Sequence, residues 1–270
     1  MKIALLLSYI CLFCACVREE KTVINEVPVP LEISIASNTR GVVFPDGAEL
    51  GVYVAEDSPE NMYDGVNYQN VRAVVEDGKL VLDEDIMLSS TAANIYVYFP
   101  YKTISTDPRA MRVTTKASPD FLLGKVENLN NFNPNADVVL QHMYSTLRFK
   151  IRNISGNTHY ASILNVLLRN NEGYTNLSIT GKVDFKDCSI IPSLPSAHAI
   201  SISFTPAYKI SNQFPNDNDC ITMTAIPTAV SAGDMVFEVV FSPTIRRSFI
   251  ILATNWESGK IYTYYLSIIN

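Results

Sequence analysis

Histidine, tryptophan and cysteine are scarce in this chain of 270 residues. It has three histidines, one tryptophan and five cysteines, and three of the cysteines fall within the first 16 residues. Apart from Cys11-Leu12-Phe13-Cys14 there is no CxxC pair, and no His/Cys cluster stands at metal-ligand spacing, which excludes the usual zinc frameworks. No G-x-S-x-G, H-E-x-x-H or glycine-rich phosphate loop occurs, so the common catalytic signatures are missing. Charged residues make up 18% of the chain and the formal net charge is −6. Without clustered Lys and Arg a phosphate backbone has nothing to bind, so a nucleic-acid partner is excluded. No segment holds helical periodicity for long, and no apolar run reaches the roughly 20 residues of a spanning helix. What is present is a hydrophobic content of 47%, enough to bury a core.

The first residues, MKIALLLSYICLFCAC, have one basic residue, Lys2, and then an apolar run from Ile3 to Ala15. That length suits a signal peptide. The run ends in Phe13-Cys14-Ala15-Cys16, which resembles a bacterial lipobox. Cleavage after Ala15 would leave Cys16 as a lipid-bearing N-terminus, and several acyl chains anchor stably where one does not. The other reading is an ordinary signal peptide with a passive Cys16. Val17-Arg18-Glu19-Glu20 resembles a surface-export signal of Bacteroidetes lipoproteins, although a charged pair also simply solvates a tether. Residues 16–30 read as a linker, with Pro28 and Pro30 near its end.

Strand patterns dominate from there. Ile33 and Ile35 alternate with Ser34 and Ala36, and Leu50, Val52 and Val54 share a face. Val71 to Val75 runs into the turn Glu76-Asp77-Gly78 and then Leu80 to Leu82, a hairpin signal. Asn94 to Phe99 is apolar and aromatic, as in a strand buried on both faces. The stretch 124–137 is rich in asparagine and reads as a domain boundary. A second series then begins at Val138 to Leu140. Leu147, Phe149 and Ile151 alternate with Arg148, Lys150 and Arg152, as in a half-buried strand. Expected strands follow at 163–168, 177–179, 182–185, 200–204, 221–226 and 235–241. The pattern predicts a closing hairpin of Ser248–Thr254 and Lys260–Asn270. The fold class is therefore all-β, with turn spacing that suits sandwiches.

The remaining chemistry is thin. His142 heads an amphipathic strand and reads as a packed fold residue, and His159 and His198 have no obvious partners. Asp83-Glu84-Asp85 and Asp217 to Asp219 read as solvated loops because they lack the other ligands of a calcium loop. Cys188 and Cys220 admit two readings, a disulfide or two free thiols. No cofactor, metal site or catalytic residue is expected. The 14 Tyr and 12 Phe leave glycan binding as an alternative, with Met62 to Tyr68 and Trp256 the first places to look for a stacking platform.

Five segments, in order, resemble the fimbrillin superfamily of Bacteroidetes, which includes major and minor fimbrial subunits and Mfa-like lipoproteins. The first is the lipobox at Cys16. The second is the opening strand 31–36 with Arg40 and then Gly47-Ala48-Glu49-Leu50-Gly51-Val52-Tyr53. The third is Tyr96-Val97-Tyr98-Phe99-Pro100-Tyr101. The fourth is Asp120-Phe121-Leu122-Leu123-Gly124 with Leu140 to Phe149. The fifth is Trp256-Glu257-Ser258-Gly259-Lys260-Ile261-Tyr262-Thr263-Tyr264. Ala48 stands where the family usually has Asp, and Gln141 where it has an apolar residue.

The resemblance implies two tandem transthyretin-like β-sandwich domains after a cleaved lipoprotein signal peptide. The expected boundaries are 1–15 for the signal, 16–30 for the linker, 31–134 for the N-terminal sandwich and 135–270 for the C-terminal sandwich. It implies a non-enzymatic stalk, tip or anchor subunit of a surface fimbria, held at the outer membrane by lipid on Cys16. Its partners would be other fimbrial subunits and a host or bacterial surface ligand. Assembly would proceed by strand exchange. The strand carrying Leu31, Ile33 and Ile35 would leave after a cut at Arg40, which otherwise reads as a turn residue. A donor strand would fill the emptied groove. The last strand is a candidate donor through Tyr262, Tyr264, Leu266 and Ile268, and a permanent edge strand is the other reading.

Overall fold

The computed structural model describes residues 27–36, 43–103, 107–108, 111–115, 120–193 and 199–269. Cys16, Arg40 and His198 lie outside the described residues. No α-helix occurs among the described residues; a 3-10 turn, Thr158–Tyr160, is capped by Asn157.

Eleven strands lie before residue 143. They are β1 (Val29–Pro30), β2 (Glu32–Ile35), β3 (Glu49–Ala55), β4 (Tyr68–Glu76), β5 (Lys79–Leu82), β6 (Met87–Leu88), β7 (Ala93–Phe99), β8 (Arg112–Thr114), β9 (Leu122–Leu129), β10 (Asn135–Val138) and β11 (Gln141–His142). Eight form one sheet in the order β10-β2-β5-β4-β3-β7-β9-β11. The β4–β5 turn carries Asp77 and Gly78 at positive φ, the backbone that the Glu-Asp-Gly signal predicts. The sheet curls on itself. Residues of β2 and β10 share a core with residues of β3, β4, β7 and β9, and the Val139 carbonyl packs over Gly124 of β9. Curling encloses an apolar interior with one sheet, the same solution a sandwich reaches with two.

Eleven strands follow. They are β12 (Ser145–Asn153), β13 (Ser162–Asn170), β14 (Thr180–Asp184), β15 (Ser189–Pro192), β16 (Ala199–Lys209), β17 (Ile221–Ala225), β18 (Thr228–Val230), β19 (Met235–Val240), β20 (Arg246–Ile250), β21 (Thr254–Trp256) and β22 (Ile261–Ile268). The sheet β17-β12-β22 faces the sheet β16-β13-β19-β20. Leu147, Phe149 and Ile151 are buried between them, as their alternation requires. The Phe149 ring stacks on Phe237 from the opposite sheet at 3.8 Å.

A third core joins the two lobes. Tyr53, Tyr96 and Tyr98 on the back of the first sheet meet Phe185 of the β14–β15 hairpin, Met143 and Tyr144. Backbone hydrogen bonds join them too, because β8, from the first half of the chain, pairs antiparallel with β14. Burial pushes the Tyr96 phenol up to about 12 and lifts those of Tyr53 and Tyr98 further.

Four expectations need correction. The asparagine-rich stretch 124–137, which reads as a boundary, begins inside a strand: residues 124–129 belong to β9, whose Leu122, Leu123 and Leu129 are buried and hold it in place. Val138 to Leu140 belongs to the core of the first sheet, not to the second series. Leu177 to Ile179 forms no strand, and Leu177 instead donates its N–H to the Asn170 side chain at 2.7 Å. The closing hairpin does not form. β20 pairs with β19, while β22 pairs with β12 in the opposite sheet. The Trp256–Gly259 turn signal is local, and the burial of each strand's apolar face decides its partner. Cys188 and Cys220 are both free thiols.

Candidate assembly site

The segment carrying Leu31, Ile33 and Ile35 occupies an internal position. β2 pairs in parallel with β10 through all four residues, Glu32↔Asn135 to Ile35↔Val138. On its other side Ile33 and Ser34 pair antiparallel with Leu80 and Lys79 of β5. The ladder extends at both ends. Leu31 donates its N–H to the Ile86 carbonyl at 2.8 Å, and Ala36 donates to the Val138 carbonyl at 2.9 Å. Leu31 and Ile33 are buried, and Ile35 packs partly buried against the same core. Ser34 points outward and hydrogen-bonds Asp137. A surface cavity of about 410 Å³ opens along the strand between Glu32, Lys79, Val81 and Asn135.

β22 is different in kind. Among the described residues it pairs only with β12, in parallel, over eight positions from Thr146↔Ile261 to Asn153↔Ile268. Its inward face is Tyr262, Tyr264, Leu266 and Ile268, all packed on the second core. Ile261 and Tyr265 face out and are exposed. A loop folds over this outer face. The Arg152 guanidinium lies 4.3 Å from the Phe214 ring centroid, Phe214 meets Tyr265 edge-on at 5.2 Å, and Lys150 pairs with Asp217 at 2.6 Å. Lys150 and Arg148 beside it hold the Asp217 carboxyl below its ordinary range.

The sequence identified β2 and β22 but missed β10, the neighbour of β2. Its signal was faint: Ala136 and Val138 are buried and alternate with Asn135 and Asp137. Asparagine-rich flanks obscured that period.

Other candidates come together less well. His142 Nδ1 lies 2.6 Å from Asp120 Oδ2, which clips β11 to the start of β9. Burial raises the Asp120 carboxyl while the His142 contact pulls it back, and its other oxygen is buried without a partner. The cavity beside β2, a cleft of about 290 Å³ beside Glu60, Lys182 and Lys186, and a third of about 190 Å³ beside Tyr208 and Gln213 are all lined without histidine. Among the described residues no group of His, Cys, Asp or Glu is arranged to hold a metal ion. Tyr63, in the segment singled out for sugar stacking, is buried and hydrogen-bonds Thr91, and Trp256 is buried too. Neither ring is open to a glycan.

Residues 36–270 match the family model described as fimbrillin-like. The chain belongs to the fimbrillin-like family. The match begins at Ala36, just after β2. Three solved structures share the fold. A candidate cell adhesion protein from Bacteroides uniformis superimposes with a TM-score of 0.65 at 16% identity, covering 90% of this chain and 94% of that one. One from Bacteroides ovatus gives 0.62 at 15%, with coverage of 90% and 94%. A fimbrial protein from Bacteroides vulgatus gives 0.53 at 12%, with 88% and 95%. No curated protein matches the chain.

Proposed function

We propose that this fimbrillin-like protein is a structural subunit of a surface fimbria, joined to its neighbours by strand exchange and tethered to the outer membrane by lipid on Cys16. The observation that carries the reading is the position of β2. It is a four-residue strand at the start of the fold, yet it is hydrogen-bonded on both sides and fills apolar pockets with Leu31 and Ile33.

Removing β2 would leave unpaired N–H and C=O groups on β10 and β5 and an apolar slot between them. Such a gap accepts an extended segment with an apolar side chain at every second residue. Each fully buried aliphatic side chain is worth roughly 1.5–3 kcal/mol, so an empty slot is unstable and a matching donor is strongly held. β22 has eight residues against four in β2, and it presents Tyr262, Tyr264, Leu266 and Ile268 on one face. A longer donor replaces the lost ladder and adds to it. Arg40 stands between β2 and β3 in the sequence, where a cut would free β2 from the rest of the chain. Transfer of a segment from one copy to the next does not close on itself, so it grows a filament.

The test is digestion of the purified chain with an arginine-specific protease, followed by electrophoresis of unboiled samples. A ladder of SDS-resistant species is expected, and Arg40→Ala should abolish it. Cleavage at Arg40 that yields only monomer would remove the polymer-subunit reading.

A further inference from the structure

Four strands end the two facing sheets of the second lobe: β17 and β22 in one, β16 and β20 in the other. An end strand leaves one row of N–H and C=O groups unpaired, and proteins blunt such rows with short strands, charge, proline or a bulge. Three of the four are blunted. β17 has five residues, and β20 carries Arg246 and Arg247. β16 carries Pro206, Lys209 and a register shift against β13. β22 has none of these devices. Residues 261–269 contain no charge, no proline and no glycine, and the eight-position ladder to β12 runs without a shift.

The direction of its backbone groups follows from the two ends of that ladder. Thr146 donates its N–H to the Lys260 carbonyl at 2.9 Å, and Ile154 donates to the Ile268 carbonyl at 3.0 Å. Even-numbered residues therefore turn their backbone groups toward β12. Residues 261, 263, 265, 267 and 269 turn theirs to the free edge, which no other strand covers among the described residues. The side chains of these odd positions lie on the outer face, with Ile261 54%, Tyr265 61% and Ile269 63% exposed. The cations of that face, Arg148, Lys150 and Arg152, stand one strand back on β12. Read from its centre at Tyr265, the strand is nearly the same in both directions. Tyr264 mirrors Leu266, Thr263 mirrors Ser267, Tyr262 mirrors Ile268, and Ile261 mirrors Ile269.

We infer that β22 pairs edge to edge, antiparallel, with β22 of a second copy of this chain, about a two-fold axis at Tyr265. An antiparallel pair exchanges both hydrogen bonds between opposite residues at alternate positions. Centred on Tyr265, those positions are Ile261 with Ile269, Thr263 with Ser267, and Tyr265 with its own copy, the residues whose backbone groups face the free edge. The side-chain pairs are of favourable kinds: hydroxyl with hydroxyl, aromatic with aromatic, and β-branched with β-branched. On the inner face Tyr262 would meet Ile268 and Tyr264 would meet Leu266, so each core continues into the other. The contact joins two three-stranded sheets into one of six strands. The same patch serves on both copies, so the contact closes as a dimer and does not grow. It also keeps β22 in its own sheet, whereas donation requires β22 to leave, so the two uses of the strand exclude each other.

The test is sedimentation velocity of the uncut chain in mild detergent, with no protease present. A contact one strand wide is small beside a standard interface of roughly 1,600 Å², so the series runs up to millimolar chain. A monomer–dimer equilibrium with no larger species is expected. Tyr265→Lys and Tyr265→Glu each change one exposed side chain, and each sets like charges opposite each other at the axis. Each variant alone should dimerise about fivefold or more weakly than wild type, and an equimolar mixture of the two should dimerise again, because Lys now faces Glu. Recovery in the mixture requires position 265 to meet itself, so it reports the register as well as the contact. Circular dichroism and thermal midpoints confirm that each variant is folded. Wild-type chain that stays monomeric at millimolar concentration, or a mixture no better than its components, would overturn the inference. Neither result touches the protease-dependent ladder, which reports strand exchange separately.

Discussion

Gly51 and Tyr98 stand opposite each other across β3 and β7, and the Tyr98 ring fills the space where a Cβ at position 51 would lie. The ring cannot swing away. It is fully buried, its hydroxyl donates to Asn70 Oδ1 at 2.6 Å, and it accepts the Lys102 N–H at 3.1 Å. Two of the segments that carry the family resemblance, 47–53 and 96–101, therefore meet at one contact. Their residue types are linked: a glycine on one strand makes room for a tyrosine on the next. Gly51→Ala forces the ring or the strand to shift. It is expected to destabilise the fold by about 1–3 kcal/mol, the usual cost of overpacking, measured as a lower urea midpoint. A midpoint unchanged from wild type would show that the ring is not confined.

Ile33 is 3% exposed in the β2 slot, whereas Val81, beside the same groove, is 46% exposed. Ile33→Ala should cost about 2–5 kcal/mol through lost burial and a residual cavity. Val81→Ala should stay within about 0.5 kcal/mol. The same denaturation curves measure both, and equal effects would mean that Ile33 does not anchor β2.

Trp256 donates its indole N–H to the Tyr264 hydroxyl at 2.8 Å, tying β21 to β22. Tyr264→Phe leaves that buried donor without its acceptor, at a cost of about 1–3 kcal/mol. Tyr265→Phe, on the exposed face, should change stability by no more than about 0.5 kcal/mol. Thermal midpoints of the two variants separate the cases. In the strand-exchange reading, Tyr264→Phe should also ease the release of β22 and speed ladder formation after cleavage.

Asp120 sets a pH dependence whose sign follows from its environment. Its carboxyl is raised above the ordinary value of 3.8, mainly by burial. The folded chain therefore holds a proton that the unfolded chain has already released. Its contribution is fully present below the unfolded value and is lost as pH rises through the folded value. Asp120→Asn keeps an acceptor for His142 and removes the ionisation. The stability difference, wild type minus variant, should fall as pH rises from below 3.8 through the raised value. Denaturant midpoints across that range test it, and a difference that is flat or rises with pH would refute the assignment.

Much of the architecture was legible along the chain. The alternation of Leu147, Phe149 and Ile151 with Arg148, Lys150 and Arg152 set the two faces of β12. Asp77-Gly78 set the β4–β5 turn through its need for positive φ. The ordered motifs from Gly47 to Tyr264 pointed to the fimbrillin-like family, and both strands of the proposed exchange, β2 and β22, were marked by their apolar period. These signals are local, so each could be read from a few neighbouring residues.

Partner choice was not local, and only the folded chain decided it. β2 lies beside β10, about a hundred residues away in sequence, and β22 runs parallel to β12 instead of folding back on β20. The first residues of the asparagine-rich stretch, 124–129, became part of β9 because its leucines had a core to enter. A strand's period says which of its faces is buried, but many strands share that period. The choice among them belongs to the whole core, whose apolar area is buried only when every strand has settled.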